Sequence, residues 1–79
     1  MNKQRRNDLS NIIDNLYAIH DQLVEVTDAE QEAFDNMPEG LQMSERGEQI
    51  EQNVSDLTEA YDDLESVISS IEDILDNNQ

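Results

Sequence analysis

The segment LSNIIDNLYAIHDQLVEVTDAEQEAFDNMPEG, residues 9–40, decides the fold. Within it Leu9, Ile12, Leu16, Ile19, Leu23, Val26, Glu30, Ala33 and Met37 follow one another at alternating steps of three and four. Such steps return side chains to one side of a helix, and only Glu30 interrupts the apolar row. The rhythm stops at Pro38, which cannot continue a helix and biases Met37 away from helical geometry; Gly40 follows two residues later. It then resumes through Met43, Gly47, Ile50, Val54, Leu57, Tyr61, Leu64, Ile68, Ile71 and Leu75, with Gly47 alone lacking a side chain. Ser44 is placed to cap the second run, with Glu45 and Glu48 near the positive end of its dipole.

The pattern predicts an all-α chain, one domain over residues 1–79. It consists of a helix over 5–36, a turn over 37–43 and a helix over 44–76, folded as an antiparallel two-helix hairpin. Each helix is roughly 30 residues, or about 45 Å long, and a short connection between long helices favours antiparallel neighbours. The apolar face is wider than one neighbour covers. Ile13, His20, Thr27 and Phe34 flank the first row, and Ala60, Val67 and Ile74 flank the second, at seven-residue intervals. With no third helix in the chain, the expectation is a homodimer forming a four-helix bundle. Leu16, Ile19, Leu23, Val54, Leu57, Tyr61, Leu64 and Ile68 are the candidate seam.

Charge narrows the function. Twenty acidic residues stand against four basic ones, a formal net charge of −16. Three of the four cations, Lys3, Arg5 and Arg6, precede the first carboxylate, so only Arg46 offsets the acidity of everything after them. The first three are expected to meet Glu72, Asp73, Asp76 and the negative end of the second helix, which an antiparallel hairpin brings alongside. Direct nucleic-acid binding through a basic patch is excluded, because nothing could neutralise a run of phosphates. Asp14, Asp21, Asp28 and Asp35 recur every seven residues on one line of the first helix. Glu48, Glu51, Asp56, Glu59, Asp62 and Asp63 crowd the second. An ordinary surface helix mixes signs, since opposite charges four residues apart stabilise it and like charges destabilise it. Carboxylates on successive turns repeat on a scale close to that of phosphates along a DNA strand. These ten acidic residues are therefore the candidate contact for a basic, nucleic-acid-binding protein that takes the acidic surface for DNA.

Other chemistry is sparse. The chain has no cysteine, hence no disulfide and no thiolate ligand or nucleophile. His20 is the only histidine, without the Glu-x-x-His pairing of di-metal bundles, and no Asp-x-Asp-x-Asp-Gly calcium loop occurs. No catalytic residue, metal ligand or cofactor is assigned, and an enzyme is the least expected class. No apolar run is long enough to cross a bilayer and none near Met1 reads as a signal segment, so a cytoplasmic protein without membrane contact is expected.

The stretch Glu30 to Ile50, with Glu32-Ala33-Phe34-Asp35-Asn36-Met37-Pro38 followed by Ser44-Glu45-Arg46-Gly47-Glu48, resembles small helical proteins of bacteriophages and mobile elements. In size, charge and helicity the whole chain is similar to short acidic phage proteins that block host defence, including DNA-mimic anti-restriction and anti-CRISPR proteins. That resemblance implies action in the host cytoplasm, by occupying the nucleic-acid groove of a defence protein. Two other readings stand beside it. One is a structural or adaptor coiled-coil module, whose seam takes a partner helix. The other is a helical oligomer that sequesters a nucleotide signal, a role poorly served by a surface with so few basic residues.

Overall fold

A computed structural model describes all residues from Met1 to Gln79. The chain is a helical hairpin, 59 × 15 × 12 Å. Helix α1 runs Lys3–Asp35, a single turn α2 occupies Glu39–Gln42, and α3 runs Glu45–Asp76. The two long helices pack against each other along their length. Helix α1 starts two residues earlier than the pattern predicts because Asn2 is an effective cap: its side-chain oxygen accepts the Arg5 N–H at 2.8 Å. Ser44 caps α3, accepting the Gly47 N–H at 3.4 Å while its hydroxyl donates to the Leu41 carbonyl.

The connection expected as a plain turn contains α2. Pro38 opens it, accepting the N–H groups of Leu41 and Gln42 at 2.8 and 3.0 Å. Gln42 Nε2 donates to the Phe34 carbonyl at 3.0 Å, fastening the turn to the C-terminal end of α1. Gly47 explains itself here. A Cβ at this position would collide with the Gln42 carbonyl oxygen and lie 2.6 Å from the Leu41 oxygen. The first turn of α3 thus passes so close under α2 that only hydrogen fits.

Side-chain burial is slight. Ile13 and Ile68 are the only buried hydrophobic residues, joined by Thr27, whose hydroxyl donates to the Leu23 carbonyl at 2.7 Å. The contact face of α1 is rolled relative to the sequence expectation. The line Ile13, His20, Thr27, Phe34 turns inward, with Leu9, Leu16 and Leu23 half-buried beside it, whereas Ile12, Ile19, Val26 and Ala33 are exposed. Ile19, expected in the seam, is 46% exposed within the hairpin. In α3 the seam runs where expected, through half-buried Val54, Leu57, Tyr61 and Leu64 to Ile68. The roll of α1 is fixed by polar pairs between the helices. Tyr17 donates to Glu72 at 3.1 Å and His20 Nε2 meets Glu65 at 2.8 Å on one side, and Asn53 donates to Glu30 at 2.9 Å on the other.

The tip geometry makes Gly47→Ala destabilising by about 1–3 kcal/mol, because backbone carbonyls must move to admit the methyl group. Gly40→Ala, where a Cβ meets nothing within 4 Å, is expected to be neutral or slightly stabilising. Thermal melts followed by circular dichroism compare the two; equal midpoints would refute the close-approach account.

Candidate functional site: one acidic face and one apolar face

The cross-helix pairs establish which surfaces lie together. Tyr17–Glu72 and His20–Glu65 mark one broad face of the hairpin. Glu30–Asn53 marks the opposite face, where a shallow notch is lined by Val26, Glu30, Asn53, Asp56 and Leu57. A second notch on that face, near the tip, includes Ala33, Met37, Leu41, Arg46 and Ile50. Heptad steps from these residues carry the assignment along both helices.

On the Glu30 side α1 presents Ile12, Ile19, Val26 and Ala33, and α3 presents Ala60, Val67 and Ile74. Five of the exposed large hydrophobics stand here in two parallel rows: Ile12, Ile19, Val26, Val67 and Ile74. The half-buried Leu9, Leu16, Leu23, Leu57, Leu64 and Ile71 fill the strip between them. This apolar strip, without cover from the chain itself, runs along the half of the hairpin away from the tip; the Glu30–Asn53 pair interrupts it before the smaller tip patch around Ala33, Leu41 and Ile50.

The other face is carboxylate. Asp14, Asp21, Asp28 and Asp35 line its α1 edge, all exposed, and Glu51, Glu65 and Glu72 line α3 beside the seam. Glu48 and Asp62 stand one line further out on α3, and Glu59 lies on its outer edge. Asp56 and Asp63 do not join them. The notch of Val26, Glu30 and Leu57 includes Asp56, and Asp63 is one heptad along the same line, so both border the apolar face. Of the ten acidic residues proposed from sequence as one contact, seven share the carboxylate face, one is at its margin and two are on the far side.

No Lys or Arg side chain lies within ion-pair distance of any carboxylate; the only such contacts are His20 with Asp21 at 3.7 Å and with Glu65 at 2.8 Å. The expected pairing of Lys3, Arg5 and Arg6 with Glu72, Asp73 and Asp76 is therefore not made. Arg6 lies in the seam and donates to the Met1 carbonyl at 2.8 Å. The N-terminal ammonium donates to the Asn78 side-chain oxygen at 3.4 Å, so the chain ends do meet, but through an amide and not a carboxylate. By heptad position Arg5 stands on the apolar side and Asp76 on the carboxylate side, which keeps them apart.

His20 and Tyr17 knit the carboxylate face. The His20 ring packs edge-on against Tyr61, centroids 5.4 Å apart, and turns Nε2 to Glu65. With Ser69 and Ile68, Tyr17, His20 and Glu65 line an open hollow of about 330 Å³. No three His, Asp or Glu side chains converge where they could hold a metal ion. No helix is long and apolar enough to cross a membrane. No protein-family profile, curated protein or solved structure matches the chain.

The hydrogen bond to Glu72 holds the Tyr17 hydroxyl above the usual phenol range, helped by desolvation and by the carboxylate's charge. Because the folded value is raised, the neutral phenol favours the folded state. That contribution is complete below the ordinary phenol value of about 10 and fades as pH climbs through the raised one. In a Tyr61→Phe background, ultraviolet titration should place Tyr17 ionisation above about 10, and Glu72→Gln should bring it down. An unchanged titration on removing the carboxylate would contradict the assignment.

Proposed function

We propose that this protein is a non-enzymatic acidic binding protein that works as a homodimer. The two apolar faces pair into a four-helix bundle, and the outward carboxylate faces occupy a basic, nucleic-acid-binding groove of another protein, excluding its DNA or RNA. The resemblance to phage anti-defence proteins points to a host defence protein as the target, in the host cytoplasm. The observation that carries this reading is the segregation of charge. The Asp14–Asp21–Asp28–Asp35 line and the Glu51–Glu65–Glu72 line run along one face, and none of the four cations neutralises any carboxylate of the chain.

Two physical costs support the reading. Unpaired carboxylates on neighbouring turns repel, so a face left in this state weakens the hairpin that carries it. A partner's Lys and Arg side chains supply the missing counter-charge, and release of counterions drives such association. Separately, the hairpin fully buries only two hydrophobic side chains, each worth about 1.5–3 kcal/mol, a thin core for a 79-residue chain even with the half-buried seam beside them. A second copy covers the opposite face with apolar surface of the same shape. The adaptor reading uses that apolar face for a foreign helix instead, and leaves the acidic face without a role.

The face assignment separates the two surfaces by mutation. Replacing Asp14, Asp21, Asp28 and Asp62 with Asn should preserve helicity and dimer mass, raise the melting point, and abolish capture of nucleic-acid-binding proteins from a bacterial lysate at low salt. Ile19→Asp with Val67→Asp, both exposed in the hairpin, should halve the mass in sedimentation and lower the melting point, because each hairpin loses the cover of its second copy. Capture that survives neutralisation, or captured proteins that bind no nucleic acid, would sink the mimicry reading. A parent protein that sediments as a monomer would sink the dimer.

A further inference from the structure

The borders of the apolar face differ in a way that fixes how two copies lie on each other. Along α1 the border is Asp8, Asn15, Gln22, Ala29 and Asn36, with no carboxylate after Asp8. Along α3 it is Gln49, Asp56, Asp63, Ser70 and Asn77, with two carboxylates at mid-length. A neutral line over most of one helix stands out in a chain with twenty acidic residues.

Two arrangements bury both apolar faces with all neighbouring helices antiparallel. With the tips at opposite ends, α3 lies on the partner's α3. Near full overlap, every register then sets Asp63 against the partner's Asp63, or Asp56 against the partner's Asp63. With the tips at the same end, α1 lies on the partner's α3 instead. Levels along the hairpin follow from the intrachain pairs Glu30–Asn53 and His20–Glu65. They place Gln22 opposite the partner's Asp63, Ala29 opposite the partner's Asp56, Asn15 opposite the partner's Ser70, and Asp8 opposite the partner's Asn77. Each border carboxylate then meets a neutral side chain, and Gln22 and Asn77 bring amide donors. Like charges opposed across an interface are strongly unfavourable, whereas an amide beside a carboxylate satisfies it.

We propose that the occupant of the apolar face is a second copy aligned with its tip at the same end, α1 against the partner's α3. The alignment rests on the dimer reading above and adds its orientation. It also brings Arg46, which lines the tip notch of the apolar face without an ion pair, to the C-terminal end of the partner's α1, where no basic residue answers the helix dipole.

The chain has no cysteine, so a single nitroxide at Gly40→Cys reports the orientation directly. Gly40 is exposed at the tip with open space around it. Facing helices sit about 8–10 Å apart, so pulsed dipolar spectroscopy should give a label separation on the order of 20 Å, allowing for the label arms. A separation approaching the 59 Å length of the hairpin overturns the orientation and leaves the dimer standing. The absence of any dipolar signal at concentrations where sedimentation reports a dimer also overturns it, and a monomer in both overturns the dimer itself. As a second readout, Gln22→Glu should raise the dimer dissociation constant about tenfold at low salt by facing the partner's Asp63, and adding Asp63→Lys should restore it. An unchanged constant for Gln22→Glu rejects the alignment.

Discussion

The structure depends on a mismatch between the width of its apolar faces and the number of helices available to cover them. A helix with apolar residues on three adjacent heptad lines needs more than one neighbour, and each helix here has one. The hairpin meets this by burying one outer line of each helix, that of Ile13 and that of Ile68, half-burying the middle lines of Leu16 and Leu64, and leaving Ile12, Ile19, Val26, Val67 and Ile74 in the open. Polar pairs choose which outer line is left exposed. Tyr17–Glu72 and His20–Glu65 close one side of the seam, so the apolar surplus of both helices is delivered to the other.

That delivery organises the charge as well. Once the apolar lines share a face, the carboxylate lines that oppose them must share the reverse face, and the hairpin becomes a thin two-sided plate. The tip holds the two helices at a fixed spacing and roll. Gly47 lets α3 pass beneath the α2 carbonyls, and Gln42 ties α2 back to Phe34. A bulkier or looser connection would change the relative roll and blur the separation of faces. The two faces are in this sense products of hairpin geometry, since neither helix alone carries a complete one.

The helices and the break between them were legible because periodicity and Pro38 act locally. Ser44 as a cap was legible for the same reason, being a matter of four consecutive residues. The roll of α1 was not. Choosing between the Ile12–Ile19–Val26 line and the Ile13–Thr27 line as the buried one requires knowing that Glu30 meets Asn53 and Tyr17 meets Glu72, pairs 23 and 55 residues apart in sequence. The sharing of one face by Asp14 and Asp62, and the exile of Asp56 and Asp63 to the other, depend on that roll and were hidden with it. The basic start misled for a related reason. Arg5 stands away from α3's carboxylates in angle, and Arg6, on the His20 line of the seam, turns to the Met1 carbonyl instead. Gly47 interrupted the second row without showing why, because α2, whose carbonyls it approaches, had no sequence signature of its own.

If the hairpin pairs and binds as proposed, its two faces respond to salt in opposite ways, and the thickness of the plate gives the reason. Each hairpin is about 12 Å thick, so pairing the apolar faces holds the two carboxylate faces about twice that distance apart. At physiological ionic strength charges are screened beyond about 8 Å, and the copies gain apolar burial with little added repulsion. At about 0.01 M salt the screening length grows to roughly 30 Å, the two faces repel through the bundle, and the dimer weakens. Capture of a basic partner moves the other way, tightening as salt falls, because attraction between exposed charges is what screening removes. A partner also neutralises the face it covers, which lifts the repulsion between copies. In the proposed assembly, binding on one face and pairing on the other would then be coupled through charge alone, with no change in the fold between them.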